Sequence, residues 1–172
     1  MEKDNPGQLR AFDEIDAAVQ EGDAAMFFLS APGGFGKTFV ANALLSASRG
    51  RGEIALAVAI SGIASLLLKG GRTAHSTFRI PLKSLNKGST CAVTKRCGLG
   101  KLLQRVKLIV WDEASMTHRY HLDAVDRTMR FLRDNERPFG GAVVVLMGDF
   151  QQILPVVPRG SAGQIRCATI KK

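Results

Sequence analysis

A glycine-rich segment of eight residues places the strongest constraint on the fold. Residues 31–38 read APGGFGKT and lie between a short apolar run and a segment with helical spacing. They match the pattern GxxxxGK[ST] except at the first position, where Ala31 replaces glycine. Glycines let such a loop curl so that its backbone N–H groups face phosphate oxygens, and the next helix adds the positive end of its dipole. We call residues 31–38 the phosphate loop, and we expect Lys37 to reach the β- and γ-phosphates of a nucleotide.

The rest of the chain alternates between short apolar runs and helical patterns. The predicted strands are residues 25–30, 54–60, 106–111 and 142–147. Helices are predicted from Asn5-Pro6 onward, after the phosphate loop, after Gly62 and over 118–133. Such strands imply a mainly parallel sheet covered by helices on both faces, an α/β three-layer fold. Residues 80–100 lack periodicity, and we expect an irregular excursion over the surface there.

Length and charge limit the possible classes of function. The chain has 172 residues, 45% of them apolar, which suits one soluble domain rather than a disordered chain. Its net charge is +9, and the stretch 54–111 contains ten basic residues and no acidic one. This acid-free stretch favours a nucleic-acid partner, although a solvated basic face without a partner remains an alternative. Three cysteines without a CxxC pair favour a reducing compartment, and the charged start MEKDNPGQLR is not a secretory signal.

Two carboxylates follow the third predicted strand directly. Asp112 and Glu113 end the sequence VWDE. Because ligands of open α/β sheets bind at the carboxyl ends of strands, this pair should lie beside the phosphate loop. We expect Asp112 to hold Mg²⁺ through water together with the Thr38 hydroxyl, and Glu113 to orient and deprotonate the attacking water.

A polar turn follows the fourth predicted strand. Residues 148–155 read GDFQQILP. A glutamine amide there can sense the γ-phosphate or position the water, as glutamines do in other nucleotide hydrolases. Spacing alone does not choose between Gln151 and Gln152.

Taken together, these motifs resemble a known family. The segments APGGFGKT, AISGIASLLLKGGRTAHSTFRIPL, VWDEASM and GDFQQILPVVPRGS are similar to superfamily-one DNA helicases of the petite-integration-frequency type. HRYHLDAVDRTMRFL followed by PFGG resembles the helicase module of Helitron transposons. The resemblance implies an ATP-dependent motor that uses ATP and Mg²⁺ and moves on single-stranded DNA, without a membrane partner. It also implies work inside the cell, in the nucleus or alternatively in mitochondria.

The resemblance assigns roles to individual residues. Gln8 matches the adenine-reading glutamine, and Gln152 matches the phosphate-sensing glutamine. The implied nucleotide contacts are Gln8, Pro32, Gly33, Gly34, Phe35, Gly36, Lys37, Thr38 and Phe39. The implied catalytic residues are Lys37, Asp112, Glu113 and Gln152, and the metal ligands are Thr38 and Asp112. The implied DNA contacts are Ser61, Gly62, Thr73, His75, Ser76 and Phe78. Hydroxyls and free N–H groups suit phosphates, and the rings of His75 and Phe78 can face bases, although core packing is the alternative for Phe78.

The resemblance covers only the first RecA-like domain of the family. We expect this ATP-binding domain to span residues 1–158, with 159–172 starting the connection to a second motor domain that is absent from this chain. Without the arginine that the second domain supplies, we expect weak nucleotide binding, very slow hydrolysis and no unwinding. Ala31, Phe35 and Met147 depart from the family pattern. The alternatives are a small-molecule P-loop kinase and a non-catalytic, transposon-derived nucleic-acid-binding remnant.

Overall fold

The centre of the structure is a parallel sheet. A computed structural model describes residues 6–82, 85–149 and 168–169, and within them five strands pair in the order β1-β5-β4-β2-β3. The strands are β1 (Met26–Ser30), β2 (Ile54–Ala59), β3 (Arg72–Thr73), β4 (Val106–Asp112) and β5 (Val143–Gly148). Every neighbouring pair is parallel. The prediction of a mainly parallel sheet is therefore confirmed.

Six helices connect the strands in the described part of the chain. They are α1 (Pro6–Glu21), α2 (Lys37–Gly50), α3 (Gly62–Leu66), α4 (Ala74–Phe78), α5 (Gly98–Gln104) and α6 (Arg119–Arg133). Short 3₁₀ turns lie at Ala114–Met116 and Pro138–Gly141. None of the helices in the described ranges is long and apolar enough to cross a membrane.

Alternating side chains of the central strands supply two separate cores. Along β4, Leu108 and Val110 face one apolar cluster, which is completed by residues of α1 and α2. Ile109 and Trp111 face a second cluster on the other side, together with residues of α4 and α6. A strand that buries side chains on both faces must be apolar throughout, which explains the run that predicted it. Helices cover both faces, so the three-layer prediction is confirmed.

The sequence analysis did not predict the short elements β3 and α4. β3 has two residues and α4 has five, so neither is long enough to display a period. Residues 80–100 were predicted to be irregular, but α5 begins within them at Gly98 and is capped by the Cys97 sulfur, which accepts the Gly100 N–H at 3.2 Å. The predicted cap at Asn5 lies outside the described residues.

Helix α2 is fastened to the turn between α3 and β3. Asn42 accepts the Lys69 N–H at 2.7 Å and donates to the Leu67 carbonyl at 3.0 Å. Arg49, about two turns further along α2, donates to the Lys69 carbonyl at 2.6 Å and to the Ala55 carbonyl at 2.9 Å. The helix that begins at the phosphate loop and this turn are thus held together by several hydrogen bonds.

Candidate functional site

The carboxyl ends of the strands bring the predicted site together. Ser30, directly before the phosphate loop, pairs with Gly148 at the end of β5. Asp112 ends β4 and pairs with Ala59 at the end of β2. Because β5 lies between β1 and β4, the phosphate loop and the carboxylate pair flank the end of one strand. This is the sheet edge at which parallel α/β folds bind ligands.

The phosphate loop has the backbone that its glycines predict. Gly34 and Gly36 have φ of 82° and 78°, a left-handed conformation that side chains other than glycine rarely adopt. Gly36 is the residue before α2, so the loop runs straight into a helix N-terminus. Lys37 bends back along the loop, and its ammonium group donates to the carbonyls of Ala31 and Pro32. The lysine is therefore held at the mouth of the loop by backbone acceptors.

Gln8 of α1 lies directly on the phosphate loop. Its Nε2 donates to the Phe35 carbonyl at 3.3 Å. A Cβ added to Gly36 would lie 2.3 Å from the same Nε2, so the Gln8 amide would have to move away, while the φ of 78° by itself favours glycine there. Cavities of about 320 and 380 Å³ flank Gln8, the first lined by Phe28, Ala31 and Lys37, the second by Gly34, Gly36 and Phe39. The structure thus brings Gln8 together with the loop residues predicted to contact a nucleotide.

Asp112 lies within electrostatic reach of Lys37. Asp112 is 9% exposed, and burial raises the pKa of its carboxyl group. The Glu113 N–H, which Asp112 Oδ1 accepts at 2.8 Å, and the positive charge of Lys37 both lower that pKa and oppose the shift. The Asp112 carboxylate and the Thr38 hydroxyl are hard oxygen donors of the kind that suits Mg²⁺, so the chemistry of these two side chains fits the predicted metal.

The departures from the family pattern are accommodated. Of the described residues other than glycine, those with positive φ are Arg79, Glu113, Asp134 and Phe139, so Ala31 and Phe35 need no left-handed backbone. The Phe35 side chain is 63% exposed, and its backbone carbonyl accepts a hydrogen bond from Gln8. Met147 is fully buried in the core shared by α1 and α2.

The two segments predicted to touch DNA each begin with a helix cap. The Ser61 Oγ accepts the Ala64 N–H at 3.1 Å, and the Thr73 Oγ1 accepts the Ser76 N–H at 3.3 Å. Gly62 opens α3, and Ser76 also donates from its hydroxyl to the Thr73 carbonyl at 3.0 Å. The first segment follows the end of β2, and the second begins at the end of β3. In the sheet order β2 lies next to β4, and β3 lies next to β2.

Phe78 does not offer its ring to a base. The side chain is 1% exposed, and its ring stacks on Trp111 with centroids 5.9 Å apart. The expectation of a base-stacking ring at this position is therefore wrong for this conformation, and the alternative of core packing is the one observed. The cause is the small turn of α4, which directs its last side chain into the core beneath the sheet.

Three histidines form a cluster that the sequence interpretation missed. The ring of His121 lies 4.7 Å from that of His75 and 6.1 Å from that of His118. Burial first, and then the neighbouring histidines, lower the pKa of His121 to about 4. Within the described ranges no group of three or more histidine, cysteine or acidic side chains has the arrangement to hold a metal ion. The cluster is a packing contact between α4 and the start of α6.

A second contact that sequence reasoning missed joins the two predicted sites. The Ser61 hydroxyl donates to Glu113 Oε2 at 3.3 Å, although 52 positions separate the two residues. Pairing of Ala59 with Asp112 brings the residues that follow β2 and β4 side by side. The contact could have been predicted from the parallel pairing of β2 and β4. Residues that directly follow two adjacent parallel strands lie close to each other. Gln152 lies outside the described residues, as does Gln151.

The fold and the site define a P-loop domain of the RecA-like class. Comparison with protein families extends this assignment: the model of the PIF1-like helicase family matches residues 4–172. The chain therefore belongs to the PIF1-like helicase family.

Individual relatives agree with the family assignment. The chain is 36% identical to the ATP-dependent DNA helicase PIF4 of Trypanosoma brucei brucei over 77% of its own length and 17% of the relative's. It is 33% identical to the ATP-dependent DNA helicase Pif1 of a Psychrobacter species, over 82% of this chain and 21% of that protein. The chain thus spans about a fifth of the length of these relatives.

Solved structures match the fold as well. A Bacteroides Pif1 helicase in complex with ADP-AlF3 and single-stranded DNA superimposes with a TM-score of 0.74 at 28% identity, over 91% of this chain and 35% of that chain. A Bacteroides Pif1 bound to single-stranded DNA gives a TM-score of 0.70 at 29% identity, over 94% and 34%. The subgroup resemblance to Helitron helicases stays a prediction.

Proposed function

We propose that this chain is the first motor domain of an ATP-dependent DNA helicase, which binds and hydrolyses ATP with Mg²⁺ and moves on single-stranded DNA. The observation that carries the proposal is that the phosphate loop and Asp112 lie at the same carboxyl edge of the sheet, on either side of β5. Relatives and structural neighbours named as ATP-dependent DNA helicases, one of them bound to ADP-AlF3 and single-stranded DNA, support the same activity.

Each residue of the nucleotide site has a separate task. The backbone of residues 33–36 and the Lys37 ammonium group bind the phosphates, and Gln8 recognises adenine from above the loop. Thr38 and Asp112 hold Mg²⁺, which draws charge from the β- and γ-phosphate oxygens when it is bound. Glu113 orients the attacking water and accepts its proton. Gln152 is the proposed γ-phosphate sensor, on the basis of the family resemblance.

Single-stranded DNA is the proposed polyanion for the acid-free stretch. Ser61, Gly62, Thr73 and Ser76 present hydroxyl and backbone groups suited to phosphate oxygens, and His75 lies beside them on α4. Ten basic side chains between residues 54 and 111 raise the local concentration of such a strand. Of the original set, Phe78 contributes by supporting α4 from the core rather than by touching a base.

The domain is proposed to act with a second RecA-like body. Residues 1–158 form the proposed ATP-binding unit, and residues 159–172 start the proposed connection. An arginine supplied across the nucleotide from a second domain is worth about 10³–10⁵ in rate. The 172-residue chain alone is therefore expected to bind nucleotide weakly and to hydrolyse it very slowly. We place the protein inside the cell, in the nucleus, with a mitochondrial site as the alternative that imaging of the tagged protein would reveal.

The nucleotide site is tested by replacing Lys37 with alanine. Lys37→Ala should reduce binding of a fluorescent ATP analogue at least tenfold, because the ammonium group that binds the phosphates is lost. Lys101→Ala, on α5, is the matched control that removes one positive charge elsewhere. Unchanged circular dichroism would establish that both variants fold. Equal analogue binding by Lys37→Ala and the parent would disprove the assignment.

The DNA partner is tested by salt dependence. Labelled oligo-dT should bind with an affinity that falls steeply as salt rises, since basic side chains displace condensed counterions. A small-molecule kinase would bind nucleotide without this dependence. A non-catalytic remnant would bind oligo-dT but would leave ATP unhydrolysed even when the chain is extended through a second domain.

A further inference from the structure

The hydroxyl of Ser61 makes two hydrogen bonds, one as an acceptor and one as a donor. Its oxygen accepts the Ala64 N–H at 3.1 Å and so caps α3. Its O–H donates a hydrogen bond to Glu113 Oε2 at 3.3 Å. A serine hydroxyl carries one proton and two lone pairs, so it has no second proton to donate. Any new acceptor at Ser61 must therefore displace Glu113.

Glu113 is held from both sides in an unusual backbone conformation. Its φ and ψ are 52° and 35°, in the left-handed region, although it is not a glycine. Its N–H donates to Asp112 Oδ1 at 2.8 Å, and its carboxylate accepts from Ser61. Strained backbone persists only where neighbouring contacts hold it, and it clusters at active sites and switches. The orientation of the Glu113 carboxylate thus depends on a contact that a ligand of Ser61 would remove.

We propose that Ser61 is a positioning residue. Its hydroxyl donates its one hydrogen bond either to Glu113 or to a DNA phosphate, but not to both at once. This inference rests on the proposed function, because it takes Ser61 to be a DNA contact. A phosphate oxygen and a carboxylate oxygen are both acceptors, so one hydroxyl cannot donate to the two at once. Without DNA, Ser61 holds the Glu113 carboxylate beside α3. When a phosphate oxygen accepts the Ser61 hydrogen bond instead, the carboxylate is released and can turn towards the attacking water.

The competition must act in both directions. If DNA at Ser61 weakens the hold on Glu113, then the Glu113 carboxylate must weaken DNA binding by the same factor. A typical hydrogen bond corresponds to about fivefold in an equilibrium constant. The coupling can therefore be measured from DNA affinity alone, in the absence of nucleotide and of hydrolysis.

The test is a double-mutant cycle on oligo-dT binding by the 172-residue chain, followed by fluorescence anisotropy. Glu113→Ala should bind oligo-dT about fivefold more tightly than the parent, because Ser61 is free to donate to phosphate. In a Ser61→Ala background the same Glu113→Ala change should gain less than about twofold, since no hydroxyl remains to be freed. Ser61→Thr keeps the hydroxyl and should restore the full gain.

Charge and capping effects are controlled separately. Asp23 is exposed and distant from Ser61 in the sequence, and Asp23→Ala removes one negative charge. This control should change oligo-dT affinity by the same factor in the parent and in the Ser61→Ala background. Ser61→Ala also removes a helix cap, so Ser61→Gly provides a second background, because glycine at a cap costs only a few tenths of a kcal/mol. Thr73→Ala removes the cap of α4 without contacting Glu113 and should show no coupling to it.

Each outcome decides a stated point. A Glu113→Ala gain that is equal in the parent, Ser61→Ala and Ser61→Gly backgrounds overturns the proposed competition while leaving the DNA site intact. A parent chain that binds nucleotide through Lys37 but shows no salt-dependent oligo-dT binding overturns the DNA part of the proposed function, and the competition with it. A gain that is lost in both serine variants and restored by threonine supports the proposal.

Discussion

The ring of Phe78 lies almost parallel to the indole of Trp111, with 12° between the planes and 5.9 Å between the ring centroids. Phe78 ends α4, in the segment proposed to contact DNA. Trp111 immediately precedes Asp112, and its indole N–H donates to the Thr117 hydroxyl at 3.1 Å. The proposed DNA-contacting segment therefore packs on the strand that ends at Asp112.

Replacing Phe78 tests how much the domain depends on this contact. Phe78→Ala should lower the free energy of unfolding by about 3–5 kcal/mol, because a fully buried ring leaves a cavity. Urea denaturation followed by tryptophan fluorescence would measure both the loss and the changed surroundings of Trp111. Phe131→Ala, at a ring that is 61% exposed, should cost less than about 1 kcal/mol. Similar losses for the two variants would contradict the placement of Phe78.

Gly36 should not tolerate a side chain, for two reasons that can be separated. Gly36→Ala strains a backbone with φ of 78° and drives a methyl group to 2.3 Å from Gln8. We expect nucleotide affinity to fall at least tenfold, as measured with a fluorescent ATP analogue. Gly22→Ala has a similar φ of 72° but open space around the new methyl group, so its effect on unfolding reports the backbone strain alone. If Gly36→Ala binds the ATP analogue as tightly as the parent, the assignment of the phosphate loop is contradicted.

The unusual residues of the phosphate loop should be tolerated. Because Ala31 has no positive φ, Ala31→Gly should change nucleotide affinity less than about twofold, which is about 0.4 kcal/mol on the scale of tenfold per 1.4 kcal/mol. Phe35→Ser removes an exposed side chain and keeps the carbonyl that Gln8 contacts, so the free energy of unfolding should change by less than about 0.5 kcal/mol. Isothermal titration and urea denaturation would check these values. A tenfold gain in affinity from either change would mean that the loop is impaired as it stands.

Acid should destabilise the domain through His121. The pKa of this histidine is lowered to about 4 in the folded chain, from an ordinary 6.5, chiefly by burial. Between these values the unfolded chain binds a proton that the folded chain does not, so the stability present above pH 6.5 is lost as the pH falls towards 4. His121→Phe keeps a ring beside His75 and should reduce the loss between about pH 7.5 and about pH 5 by about 2 kcal/mol.

Urea denaturation at a series of pH values would measure this dependence. The pKa values of His75 and His118 are also lowered, first by burial, so the variant should retain a weaker dependence of the same sign. Identical pH profiles for the parent and His121→Phe would contradict the buried position of His121.

The sequence predicted the parts of the fold that repeat a physical pattern. The strands around Leu108 and Val144 are apolar because both faces are buried, and α6 shows helical spacing because one side packs on the sheet. β3 and α4 were missed, since two and five residues carry no period. β3 forms because Arg72 and Thr73 pair with β2, a contact that only the folded sheet provides. Thr73 then caps α4.

The sequence predicted those candidate site residues that lie together in one contiguous motif. The phosphate loop and the pair formed by Asp112 and Glu113 could be identified because each is a contiguous motif beside a strand. The burial of Phe78 and the bond from Ser61 to Glu113 could not, because both join residues that are distant along the chain. Family resemblance placed Gln8 at the nucleotide, but its position against the Gly36 backbone required coordinates.

The bonds from Asn42 and Arg49 to the turn at Lys69 have a mechanical consequence. They brace the helix that starts at Lys37 against the turn that leads into Thr73, so bending between these points would break several hydrogen bonds at once. The N-terminus of α2 at the phosphate loop and the start of the proposed DNA-contacting segment at Thr73 therefore keep a fixed spacing. In the proposed helicase function, this part of the domain would move along single-stranded DNA as one rigid unit.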